Sequence, residues 1–345
     1  MWNVSVVDTG VDTVAAPAPV HAWQAMYPPL QCHAQGWLDV GNGHRVYWEE
    51  CGNPLGRPAL FVHGGPGAGC TTQDRRWFNP QHTRIVLFDQ RGCGRSRPLG
   101  ATDDNTTAHL LRDMEMLREH LHIARWLLFG GSWGATLALV YAQRHADRVQ
   151  ALVLRGVFLG SAAEREWLYG AHGVGEMHRA AWRRFSQAVP RAPSTALLDG
   201  FEAQLHCADT TAEHAAAHAW MQWEQDLMAL EMDGDEGTVD VAAVSEEALA
   251  AARIGVHYAR HAYFLREGQL LQGAPSLRDI SAIVVQGQCD LITAPHIARA
   301  LQAAWPAAQW HFIANAGHSS THPAMAQRLV AATDHFARMT TGDMP

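Results

Sequence analysis

The sequence predicts an α/β fold, a mostly parallel doubly wound sheet with an inserted all-helical cap, and three observations carry that prediction. Short apolar runs of strand length alternate with helix-length amphipathic stretches, the alternation stops over a long middle segment, and it resumes near the C-terminus. Strands covered by helices on both faces read as continuous apolar runs, and that is how these runs read.

Taken in order, residues 1–25 are mildly apolar but lack a basic leader, and Asp8 and Asp12 interrupt the place where a signal core would sit. We read them as a flexible arm. The stretch "GWLDVGNGHRVYWEECG" alternates around Asn42-Gly43, a dipeptide that accepts the positive φ angles of a tight hairpin turn, so the folded part opens with a β-hairpin. The runs "ALFVHGG", "RIVLFDQRG", "WLLFGGS", "ALVLRG" and "AIVVQGQ" are then buried parallel strands, separated by helical patterns such as "TTAHLLRDMEMLREHL" and "WGATLALVYAQRHADRV". From residue 161 to 275 the chain is Ala-, His- and Trp-rich with no convincing strand, which predicts an all-helical cap between two halves (26–160 and 276–345) of one catalytic domain. Its acidic segment "EMDGDEGTVD" is read as a solvated loop.

Composition limits the chemistry. At 345 residues and 48% hydrophobic the chain can bury one large core or two smaller ones, and its formal net charge of −8, without a Lys/Arg block, excludes a phosphate-backbone grip on nucleic acid. No apolar run reaches the roughly 18 residues of a membrane span. The six cysteines have no CxxC spacing and read as free thiols of a reducing, cytoplasmic compartment. Nothing in the sequence bears on oligomeric state.

The informative motif is Gly130-Gly131-Ser132-Trp133-Gly134, a G-x-S-x-G pattern at the end of a strand and the start of a helix. A sharp strand-to-helix turn needs small flanking residues and leaves the serine hydroxyl exposed above the sheet, beside the free N–H groups of a helix N-terminus. We therefore read Ser132 as a nucleophile. Such a hydroxyl needs a histidine to take its proton and a carboxylate to hold that histidine, in the chain order Ser, acid, His. Asp290, in the loop after "AIVVQGQC", and His318, in the turn "NAGHSS", fit that order; His311 falls in a strand-like run and His322 at the start of the last helix. Asp89 precedes the serine and is read as a structural partner of Arg91 or Arg95. An oxyanion hole needs one amide after the nucleophile and one from a loop after an earlier strand, which selects Trp133 and Gly65, with Gly64 beside the substrate. The i, i+4 pairs His214/His218 and His257/His261 have a spacing that can chelate metal, but without an HExxH motif or an evident carboxylate they read as solvated helix faces. Neither a metal nor a cofactor is expected.

The segments "YPPLQCHAQGWLDVGNGHRVYWEECGNP", "HGGPGAG", "RIVLFDQRGCGRS", "GGSWGATLALVYAQ", "VLRGVFL", "AWMQWE" and "NAGHS" span nearly the whole chain. In these the sequence resembles the proline iminopeptidases (prolyl aminopeptidases) of the α/β-hydrolase fold. The resemblance implies a serine exopeptidase that releases N-terminal proline, with Ser132, Asp290 and His318 as triad. It also implies that Glu224 is one of two carboxylates holding the substrate amine and that Phe158 and Tyr169 surround the proline ring, although both are equally of the kind that fills a core. The second carboxylate is missing, since "ARIGVHYA" places Gly255 where the family carries glutamate. Three readings follow: a prolyl aminopeptidase acting on small peptides or amides, a hydrolase turned to a small non-peptide ester or amide, and a ligand-binding receptor on a hydrolase scaffold.

Overall fold

Asn42 and Gly43 hold φ angles of 55° and 77°. Positive φ at both central residues is what a two-residue turn needs to follow the strands' right-handed twist, so β1 (Cys32–Gly41) folds back antiparallel on β2 (His44–Gly52). The structure is a computed structural model describing residues 25–190, 196–229 and 244–338. The N-terminal arm up to residue 24 and the acidic segment at 231–240 lie outside the described residues.

The apolar runs become β3 (Arg57–Val62), β4 (Thr83–Phe88), β5 (Trp126–Gly131), β6 (Val149–Arg155) and β7 (Ser281–Gly287), joined by β8 (Gln309–Ile313). Together they form one eight-stranded sheet in the order β1-β2-β4-β3-β5-β6-β7-β8. From β3 onward every pairing is parallel, and only the β1–β2 and β2–β4 pairings are antiparallel. The pleat sends alternate residues to opposite faces: Leu60, Val62 and Leu128 enter one apolar cluster, and Phe61, Leu127 and Phe129 enter the other.

Helices α1 (Thr107–His120) and α2 (Trp133–Arg144) cross between strands β4, β5 and β6. Thr106 caps α1 by accepting from the His109 amide. Between β6 and β7 the described residues contain helices and turns and no strand: α3 (Ala162–Tyr169), α4 (Arg179–Gln187), α5 (Leu197–Leu205), α6 (Thr210–Ala229), α7 (Glu246–Arg260) and α8 (Gln269–Gly273). Helices α9 (Pro295–Ala304) and α10 (Pro323–Arg338) complete the chain on either side of β8. Trp220 and Trp223 of α6 and Ile254 of α7 belong to the same apolar cluster as α2, so the helical insertion shares a core with the sheet.

Buried charges fasten the loops on this frame. Of the two arginines expected beside Asp89, Arg95 is the partner, its Nε donating to Asp89 Oδ2 at 2.8 Å. Arg91 turns away to make a bidentate pair with Asp113 of α1, at 2.6 and 2.7 Å, and also donates to the Val40 carbonyl. Sequence proximity left both open, and the partners across the fold separate them. Glu49 receives a second bidentate fork, from Arg75 at 2.7 and 2.9 Å.

Removing one partner of a buried pair strands the other charge, whereas an exposed pair is screened by water. Asp113→Ala is therefore expected to cost about 3–5 kcal/mol in urea unfolding, and Arg278→Ala, from the exposed Arg278–Asp279 pair, under about 1 kcal/mol. Equal losses would remove Arg91–Asp113 as a fastening point.

Candidate active site

Ser132 links β5 to α2 with φ 57° and ψ −127°, a conformation rarely held by a non-glycine residue. The glycines around it explain how the chain tolerates so tight a turn. A Cβ on Gly134 would lie 2.1 Å from the Val62 carbonyl oxygen, and one on Gly130 would lie 2.3 Å from that of Gly134. The Ser132 amide donates to the Arg155 carbonyl at 2.9 Å, and the half-buried side chain borders a cavity of about 470 Å³. The helix starts at Trp133, so helix geometry leaves that residue's amide without an intrahelical acceptor.

The glycine loop after β3 closes against this turn. A Cβ on Gly64 would stand 3.2 Å from the Gly131 carbonyl oxygen and 3.5 Å from Ser132 Cβ; Gly65, at φ 109°, also borders the cavity. Gln90 ties the two segments together. Its Nε2 donates to the His63 carbonyl at 2.9 Å while its Oε1 accepts from the Trp133 indole at 2.9 Å.

Asp290 and His318 come from the loops after β7 and β8. His318 Nδ1 lies 2.9 Å from Asp290 Oδ2, both residues being buried. Asp290 also accepts from the Ile292 and Thr293 amides at 3.0 and 2.7 Å, from the Thr293 hydroxyl at 2.7 Å, and from Gln286 Nε2 at 3.0 Å. Burial alone would raise its carboxyl, but the His318 charge and the hydrogen bonds from His318 and Thr293 outweigh it and hold the carboxyl below its ordinary value. Arg155 Nη1 donates to the His318 carbonyl at 2.7 Å, joining the histidine loop to the strand beside the serine. His311 sits in β8 and His322 immediately before α10, away from Asp290 in the hydrogen-bond network.

On the helical insertion the cavity is bordered by Phe158, Leu168, Tyr169, Trp223, Glu224 and Tyr263. Phe158 meets Tyr263 edge to face at 4.8 Å, and Tyr169 stacks on Trp220 at 5.0 Å. Ala262, Tyr263 and Phe264 all hold positive φ (52°, 54° and 53°), a left-handed turn that carries the Tyr263 ring to the cavity. Burial pushes the Glu224 carboxyl up to about 7, opposed only by a hydrogen bond from the Trp220 side chain.

Several features differ from the sequence reading or escape it. At Gly255, where the resemblance implies a glutamate, the chain is buried in α7, and a Cβ there would lie 3.0 Å from Trp220 Nε1 and 3.3 Å from the ring carbons. The Trp220 indole fills the space. His257 is not on a solvated face; it is buried, with Nε2 2.8 Å from the Asn105 carbonyl, while His261 Nδ1 lies 2.8 Å from the His257 carbonyl. Among the described residues no group of three or more His, Cys, Asp or Glu side chains converges as a metal site. Thr293, Gln286, Arg155 and Tyr263 carry no motif of their own, and their only sequence signal is proximity to Asp290, to a strand end or to a helix end.

The strand order and the strained serine turn at the sheet's carboxyl edge define an α/β hydrolase, and the family model for the alpha/beta hydrolase fold matches residues 58–322. The same fold appears in the esterase RhEst1 from Rhodococcus sp. ECU1013 (TM-score 0.57, 17% identity, 89% of this chain and 99% of that one) and a putative aryl esterase from Burkholderia cenocepacia (TM-score 0.56, 17% identity, 88% and 97%). Sequence relatives are much nearer. The proline iminopeptidase of Xylella fastidiosa is 42% identical over 91% of this chain and 99% of its own length, that of Xanthomonas citri 42% over 91% and 100%, and that of Arabidopsis thaliana 40% over 90% and 82%. The chain belongs to the proline iminopeptidase family.

The packing at Gly255 gives a direct test. Gly255→Glu must displace a fully buried indole, so it is expected to lower Tm by several degrees, corresponding to about 1–3 kcal/mol of overpacking, even though glutamate is the better helix former. An unchanged or higher Tm would mean that Trp220 yields freely.

Proposed function

We propose that this protein is a serine exopeptidase that releases N-terminal proline from small peptides or amides through an acyl-enzyme on Ser132. The observation that carries the reading is one cavity bordered by a strained, half-buried serine, by a histidine bonded to a buried carboxylate, and by a second carboxyl, that of Glu224. The relatives named above, all proline iminopeptidases, support it.

In this reading the Ser132 hydroxyl attacks the carbonyl carbon of the first residue as its proton passes to His318 Nε2. Asp290 keeps the other ring proton on Nδ1, fixing the tautomer that leaves Nε2 free to accept and stabilising the imidazolium that forms. The negative charge on the tetrahedral oxygen falls to the amides of Trp133 and Gly65. His318 then returns its proton to the departing amine as the C–N bond breaks. Water, deprotonated by the same histidine, hydrolyses the ester and frees proline. Phe158 and Tyr169 supply apolar walls for a pyrrolidine ring, and Glu224 supplies the counter-charge for its ammonium group.

The roles are separable by kinetics. Ser132→Ala and His318→Ala are each expected to lower kcat by several orders of magnitude on proline naphthylamide, with the double variant barely worse, because residues acting as a unit are non-additive. Asp290→Asn is expected to cost about 10⁴ in kcat with folding preserved. Additive losses, or a near-normal Asp290→Asn, would dissolve the triad.

Glu224 sets a pH dependence. Its carboxyl is neutral well below about 7 and charged well above it, whereas an α-amino group loses its proton near pH 8. KM for a free-amine proline amide is therefore expected to fall as pH rises from 6 to between 7 and 8 and to rise again beyond, while KM for an acetate p-nitrophenyl ester follows no such course. Because the folded-state value is raised, the native chain holds this proton and loses stability as pH climbs from the ordinary glutamate range through about 7. Glu224→Gln should thus raise Tm at pH 8 and hardly at pH 5, while raising KM for the free amine and flattening its pH course. If ester and amide are impaired equally, Glu224 is structural; if only the ester turns over in the wild type, the non-peptide hydrolase reading replaces this one.

A further inference from the structure

We propose that the same cavity has a second binding lobe, floored by Phe61, Trp77 and Phe129, that takes the residue following the N-terminal proline and selects a neutral aromatic or large apolar side chain there. This rests on the aminopeptidase reading and adds to it the class of the leaving group.

The cavity is not confined to the helical insertion. Phe158, Leu168 and Trp223 belong to the apolar cluster that joins the insertion to the sheet; Phe61, Trp77 and Phe129, which border the same cavity, belong to the cluster on the other sheet face. The cavity therefore straddles the carboxyl edge of the sheet. Phe129 lies on β5 three residues before Ser132, and Phe61 is its register partner on β3, so the second lobe and the nucleophile share one cavity at the end of β5. An N-terminal residue that reaches both Glu224 and Ser132 occupies the lobe of the insertion. The group leaving from its carbonyl then points away from Glu224, and the aromatic lobe is the enclosed space open to it.

Its chemistry is specific. Phe129 stacks with Phe61 at 5.4 Å and 25° and with Trp77 at 5.8 Å and 20°, giving a rigid aromatic floor. Aromatic surfaces of this kind favour another ring, offset or edge-on. Asp74 borders this lobe, its Oδ2 already taken by the Thr71 amide at 2.7 Å and the Thr71 hydroxyl at 2.9 Å. The neighbouring arginines are committed elsewhere, Arg75 to Glu49 and Arg76 to the Tyr27 carbonyl. A carboxylate carried directly on the second residue would meet Asp74 here, while Arg155, which also borders the cavity, is already engaged with the His318 carbonyl at 2.7 Å, so amides and longer peptides are favoured over free dipeptides.

The test is a series of Pro-Gly-NH2, Pro-Ala-NH2, Pro-Leu-NH2 and Pro-Phe-NH2 with the free acid Pro-Phe, read as kcat/KM on the full chain. Burying a phenyl ring supports a gain of about ten- to a hundred-fold from Gly to Phe, and the free acid is expected to fall well below its amide. Phe61→Leu and Trp77→Phe, both checked for unchanged Tm, are expected to narrow the Phe/Gly ratio by about three-fold or more. A ratio flat to within about three-fold across the series, or an aromatic preference untouched in both variants, overturns the lobe while leaving the aminopeptidase reading intact. Failure of every Pro-X amide alongside normal ester hydrolysis overturns both.

Discussion

A close backbone approach sits under Ser132, and the site is arranged around it. Helix α2 starts so near the end of β3 that only a glycine at 134 clears the Val62 carbonyl, and only a glycine at 130 clears the backbone of residue 134. That crossing holds Ser132 in a strained conformation, at a cost on the order of 1–3 kcal/mol that the surrounding core must cover. In return the hydroxyl cannot fold back into the sheet. It also brings the first free amides of α2 beside the glycine loop, so that in the proposed mechanism the nucleophile and two oxyanion donors come from one backbone contact. Gln90, bonded to both His63 and Trp133, keeps that contact from opening.

Two carboxyls, buried Asp290 and half-buried Glu224, are set in opposite ways, and the number of donors decides which. Asp290 is buried yet held below its ordinary pKa, because two amides, a hydroxyl, a side-chain amide and the His318 ring all point at it. Glu224 meets one indole donor and rises to about 7. The first arrangement makes a permanent anion, suited to orienting an imidazole through a whole cycle. The second leaves an anion under-satisfied until a cation arrives, which suits a group that must bind an ammonium and release it again.

Much of this was legible in the chain before any coordinates. The Asn42-Gly43 turn, the five apolar runs and the G-x-S-x-G elbow follow from local chemistry: positive φ, burial on both faces and small residues at a crossing. What stayed hidden depends on which side chains meet across sequence. Asp89 could have paired with either of two arginines; rotation along the loop, not spacing, sends Arg95 to it and Arg91 to Asp113. His257 and His261 share a helix face with metal-chelating spacing, but Asn105, far away in sequence, caps His257 and buries it. The aromatic floor of Phe61, Trp77 and Phe129 reads in sequence as ordinary core, because a cavity wall and a core face have the same composition.

The departure at Gly255 illustrates how one missing side chain reshapes a wall. Without a Cβ at 255, the Trp220 indole moves up against α7, and there it stacks on Tyr169. Tyr169 shares a hydrogen bond with Tyr263, whose ring stands edge-on to Phe158. Beside Gly255 there is thus a continuous run of rings, Trp220, Tyr169, Tyr263 and Phe158, and one neutral N–H beside Glu224. At this end of the cavity, charge rests on the Glu224 carboxyl and shape on aromatic packing. Discrimination should therefore come more from how well a ring fits those walls than from the strength of the ammonium contact, since an apolar wall rejects a misfit by lost burial while a lone, half-buried carboxyl near neutrality holds its cation only part of the time.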